Sequence, residues 1–69
     1  MTDLTRIETM FVRRLIRHGA PLSRHSLPPH DVRTGKRLER KGIITYADDA
    51  CFRLSLLGRE WAQSEGLIR

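Results

Sequence analysis

The chain has 69 residues, enough for one domain with one small core, and residues 1–69 are expected to form that single domain. One cysteine, Cys51, excludes an intrachain disulfide and fits a reducing compartment, and no apolar run is long enough for a signal peptide or a membrane span, so a cytoplasmic, nucleoid-associated protein is expected. The formal net charge is +5, and it is concentrated: between Arg13 and Lys41 nine Lys/Arg face only Asp31 and Glu39, a local +7. A basic stripe of this kind is the footprint of a polyanion partner. Eleven of the thirteen cations are arginine, whose planar fork suits phosphates and guanine edges.

The first predicted element is a helix from about Arg6 to His18. Thr5 and Glu8 have the spacing of a capping box, each side chain taking the other's free backbone N–H. Leu4, Ile7, Phe11 and Leu15 recur at helical spacing, with Met10 and Val12 widening the stripe. Gly19 suits the residue after the helix, and Ala20-Pro21 stops continuation. Arg13, Arg14 and Arg17 fall in the last turns, where helix-dipole stabilisation and phosphate contact are both open roles.

Leu22 to Leu27 allows a short second helix, which Pro28-Pro29 breaks. Pro29 then opens a third helix over residues 29–41, since proline is tolerated in a first turn. On a helical wheel Val32, Gly35 and Leu38 group together, while His30, Arg33, Thr34, Arg37, Arg40 and Lys41 fan across the other side. Gly35 costs about 1 kcal/mol against alanine in a helix interior. Close approach of the backbone to another helix is the expected return. Gly42 ends the helix. Ile43 to Tyr46 has strand composition, Ala47 to Ala50 forms a turn, and Cys51 to Leu56 alternates as a half-buried strand with Phe52, Leu54 and Leu56 inward. Ser55 caps a last helix from Leu56 to about Glu65, with Leu57 and Trp61 inward and Gly66 as its stop. The expected architecture is mostly α with a small β-hairpin, in the order α-α-α-β-β-α.

Val32, Leu38-Glu39, Lys41-Gly42-Ile43-Ile44, Phe52-Arg53-Leu54-Ser55 and Gly58-Arg59 resemble the winged helix-turn-helix regulator superfamily, which includes the MarR-like and PadR-like bacterial repressors. The shared patterns are L-E-x-K-G-x-I at the end of the third helix and L-x-x-x-G-R after the second strand. The likeness covers about residues 20–66. It implies a third helix that enters the major groove of double-stranded DNA, with His30, Arg33, Thr34 and Arg37 facing base edges. Arg24, Ser26, Lys36, Arg40, Lys41 and Arg53 then hold phosphates. The function implied is sequence-specific DNA binding by a small bacterial or phage transcription regulator. Because operators tend to be two-fold, a homodimer is expected, with Trp61, Leu67 and Ile68 as candidate contacts. The chain departs from the family in the acidic hairpin tip Asp48-Asp49, in a second helix squeezed against the proline pair, and in having no long dimerisation helix.

No enzyme, cofactor or metal is expected. His18, His25 and His30 lack a recognised ligand spacing, and no phosphate-cradling loop or H-E-x-x-H is present. Asp48 and Asp49 fit turn chemistry, and Cys51 fits a half-buried structural position. The rival reading is a protein–protein adaptor or inhibitor that docks an acidic partner surface.

Overall fold

The computed structural model describes residues 3–19 and 21–68; Ala20, in the expected helix stop, lies outside them. Helix α1 runs Arg6–His18, behind an N-cap at Thr5. The capping box forms as expected: the Glu8 N–H donates to Thr5 Oγ1 at 3.2 Å, and the Thr5 N–H donates to Glu8 Oε1 at 2.8 Å. The helix buries Glu8, Phe11, Val12 and Leu15. Its apolar stripe is therefore rotated from the expected one, since Ile7 and Met10 are 64% and 59% exposed.

The second helix expected over residues 22–27 is replaced by a two-residue strand, β1 (Leu22–Ser23), and a 3-10 turn over Arg24–Ser26. Six residues between Pro21 and Pro28 cannot repay the cost of helix nucleation. The sheet edge offers Leu22 a place opposite Phe52, and the Arg24 N–H donates to the Ala50 carbonyl at 2.8 Å. The hairpin thus becomes a three-stranded antiparallel sheet in the order β1-β3-β2, with β2 at Ile44–Tyr46 and β3 at Cys51–Leu54. Ile44 pairs with Leu54 and Tyr46 with Phe52.

Helix α2 spans Pro29–Arg40, with Pro28 as N-cap and Lys41 as C-cap. Gly42 takes φ +79°, and its N–H donates to the Glu39 carbonyl while the Ile43 N–H donates to Leu38. This Schellman closure needs a left-handed residue, so glycine stands there. It also delays β2 by one residue, because the Ile43 N–H is committed to the helix.

Helix α3 covers Leu56–Ser64. Ser55 leaves the strand to cap it, accepting the Gly58 N–H at 2.9 Å and donating its own hydroxyl to the Gly42 carbonyl. This turns Leu56 out to solvent and ends the alternation expected of Cys51 to Leu56. The inward residues of α3 are Gly58 and Ala62, with Trp61 half-buried against the core and Leu57 exposed instead of inward. A Cβ at Gly58 would lie 2.0 Å from the Ile43 carbonyl oxygen, so only glycine lets α3 come this close to the backbone just before β2.

Phe52 is the hub of the core. Phe11 meets it edge-on at 5.8 Å between ring centroids, and Tyr46 lies at 4.8 Å. Gly35 faces the same ring. The close neighbour that explains this mid-helix glycine is thus a strand side chain and not another helix. Leu38, Ile43, Ile44, Val12, Leu15 and Leu22 complete the cluster. Among the described residues, no helix is long and apolar enough to cross a membrane.

Candidate nucleic-acid interface

The core side of α2 fixes what its other side presents. Thr34, Gly35 and Leu38 are buried, and Val32 packs partly against the core. Opposite them His30, Arg33, Arg37 and Arg40 are exposed at offsets of three, four and three residues, which is one row along a helix. Among the described residues none of these three arginines makes an ion pair. Their positive charge is therefore not neutralised by any carboxylate among the described residues.

Other expected members of the site lie elsewhere. Thr34 is only 5% exposed, and its hydroxyl donates to the His30 carbonyl at 3.1 Å. That back-bond satisfies the hydroxyl inside the helix and takes Thr34 off the row. Lys41 bends away from α2 to the start of α1. Its Nζ donates to Glu8 Oε1 at 2.8 Å and to the Asp3 carbonyl at 3.1 Å. Lys36 lies over the Tyr46 ring, 3.6 Å from its centroid, with Glu39 Oε1 at 3.9 Å. Its ammonium is thus partly occupied at the junction of helix and sheet.

Arg24 and Ser26 are exposed on the 3-10 turn, and the Ser26 hydroxyl donates to the Ser23 carbonyl at 2.9 Å. At the hairpin, Arg53 grips Asp49 with two hydrogen bonds of 3.2 and 2.7 Å. The Arg53 guanidinium holds the Asp49 carboxyl below its usual range, and Asp49 in turn raises Arg53. The only cation of the hairpin is therefore neutralised locally, while Asp48 stays exposed at the tip.

Asp31 stands in the first turn of α2, where the dipole favours an acid. Arg14 of α1 pairs with it at 2.7 Å, and His30 Nε2 is 3.4 Å away. None of the ion pairs was expected from the sequence, and the most deeply buried of them joins Glu8 to Lys41. Glu8 is fully buried, with Lys41 on Oε1 and, among the described residues, no hydrogen-bond partner for Oε2. Burial pushes its pKa up, but Lys41 and Thr5 outweigh that and hold it below the ordinary 4.5. Glu8 was legible as a cap and Lys41 as a helix-end cation; their meeting across 33 residues had no local signal.

Among the residues expected at a dimer contact, Trp61 packs against the core and Leu67 and Ile68 are half-buried. Ile68 lines a groove of about 430 Å³ between α1, β3 and α3, floored by Leu15, Ile16 and Leu54 with Arg59 among its walls. Among the described residues no three His, Cys, Asp or Glu side chains stand close enough to hold a metal ion.

No family model, curated protein or solved structure matches this chain.

Proposed function

We propose that this chain is a winged helix-turn-helix protein that binds double-stranded DNA in a sequence-specific way, as a small bacterial or phage transcription regulator does. The observation that carries the reading is the exposed, unpaired row Arg33, Arg37 and Arg40 on α2, backed by a helix face sealed onto Phe52. A helix anchored on one side and cationic on the other is suited to the major groove. His30, Arg33 and Arg37 are the base-reading residues of this proposal, and Arg40, Arg24 and Ser26 hold phosphates. Thr34 and Lys41 leave the set, being satisfied inside the protein. Arg53 leaves it as well, being neutralised by Asp49.

A gel-shift titration at several salt concentrations tests this. DNA binding predicts a linear fall of log affinity with log salt, with a slope of about 0.9 per phosphate contact. A chain that shifts no duplex at low salt refutes the reading. The acidic tip Asp48-Asp49 favours a second reading, in which the same arginine row docks an acidic protein surface, because an acidic hairpin is a poor phosphate ligand. That reading predicts no shifted duplex under the same conditions.

A further inference from the structure

Helix α1 turns a second row of arginines to solvent. Its buried side is Glu8, Phe11, Val12 and Leu15, and Arg6, Arg13 and Arg17 stand exposed on the opposite side, with Arg14 beside them. From Arg6 to Arg17 the row is about 16 Å long at the rise of an α-helix. Among the described residues Arg6, Arg13 and Arg17 make no ion pair. No carboxylate of α1 itself shares this face, because Glu8, the helix's one acid, is buried. Dipole stabilisation accounts for Arg17 in the last turn. It does not account for Arg6 in the first, where a cation is disfavoured.

The rows on α1 and α2 belong to separate helices that share one core ring. Both helices rest on Phe52, α1 through the edge-on Phe11 ring and α2 through Gly35, and each row lies on the far side of its helix from that ring. Asp31 sits in the seam between them, paired to Arg14 and close to His30, so an acid interrupts the cationic surface. With each row on the side of its helix away from that ring, a duplex lying along α2 would leave the α1 row free.

We propose that the α1 row is a second phosphate-binding face, by which one molecule tethers a second DNA duplex to the one held by α2. The proposal rests on the DNA reading above. A linear row of guanidiniums without an acid complements the backbone of a linear polyanion. Contacts of this kind position a duplex without reading its sequence.

The test is a capture assay with the full chain, an immobilised duplex and a fluorescent duplex of unrelated sequence. The parent should retain the fluorescent duplex at low salt and release it steeply as salt rises. Arg13→Gln/Arg17→Gln should bind a single duplex within about twofold of the parent but retain about tenfold less of the second, as loss of two phosphate contacts predicts. Arg6→Gln should act in the same direction with a smaller effect. All three side chains are exposed, so thermal midpoints within about 4 °C of the parent's are expected, the difference being Arg17's dipole contribution, and these separate binding from folding. Retention by the double variant equal to the parent's would mean tethering by self-association, and would overturn the proposal. So would a matching loss of single-duplex affinity, which would place both rows on one footprint. A parent that binds one duplex and tethers none overturns it too, and leaves the α1 row to an acidic protein surface. A parent that binds no duplex removes the DNA reading itself, a different outcome from these.

Discussion

Lys41 Nζ lies 2.8 Å from Oε1 of Glu8, a carboxylate with no exposed surface. The pair ties the end of α2 to the first turn of α1, and the same Glu8 oxygen accepts the Thr5 N–H of the capping box. Removing the cation leaves a covered charge with no counter-ion. Lys41→Met should therefore cost about 3 kcal/mol, the low end for breaking a buried pair, because the lysine side chain keeps some solvent contact. Glu8→Gln/Lys41→Met should recover much of that loss, since glutamine retains the capping acceptor without the charge. Urea unfolding of the four chains of this cycle measures the coupling, and additive losses would show that the pair contributes nothing of its own.

The same pair sets a pH dependence. Glu8's folded pKa is held below its ordinary value of 4.5, so the ionised carboxylate contributes stability that is complete above 4.5. That contribution is lost as pH falls through the lowered folded value. The stability difference between the parent and Glu8→Gln should shrink as pH drops from 7 to 3. Denaturant midpoints at each pH check this, and a difference that stays constant would contradict it.

Gly35→Ala sets two effects against each other. Alanine gains about 1 kcal/mol of helix propensity. Its Cβ, however, would lie 2.7 Å from Phe52 Cε1, on a fully buried ring already flanked by Phe11 and Tyr46. Overpacking of that kind costs about 1–3 kcal/mol. The expected result is a net loss of up to about 2 kcal/mol, read as a lower thermal midpoint. A higher midpoint would mean that the ring yields freely.

Ala50 is the one non-glycine residue with positive φ among those described, at 61°. It follows a turn closed by its own N–H to the Ala47 carbonyl at 3.0 Å. A left-handed L-residue costs about 1–2 kcal/mol. Glycine removes that cost and returns about 0.4–1 kcal/mol to the unfolded chain's entropy. Ala50→Gly should therefore stabilise the protein by about 0.5–1 kcal/mol, visible as a higher urea midpoint with an unchanged slope.

For DNA recognition, Arg33→Ala and Arg37→Ala should each relax base preference by about 1–3 kcal/mol at the positions they read. Arg40→Ala should weaken all sequences alike and lower the salt slope by about one. Arg53→Ala should change affinity little, since Asp49 already occupies that guanidinium. Selection from a randomised duplex pool, followed by titration of the selected site, distinguishes these outcomes. Unchanged affinity and preference in both the Arg33 and Arg37 variants would remove α2 as the reading element.

Local chemistry was enough to place most elements. The Thr5–Glu8 capping box, Gly42 after α2, Ser55 before α3 and the four-residue turn at Ala47 to Ala50 act over a few residues, so the chain shows them without its fold. The arginine row on α2 was legible for the same reason, because helical spacing alone aligns Arg33, Arg37 and Arg40. Three-dimensional packing decided the rest. Whether residues 22–27 coil or pair depended on a sheet edge that Phe52 supplies from thirty residues further along the chain. Whether Thr34 and Lys41 face outward depended on a buried helix face and on a carboxylate 33 residues upstream. Periodicity assigns a side chain to an arc of its helix. Only the neighbouring elements determine which edges of that arc are covered, and which charges are already paired.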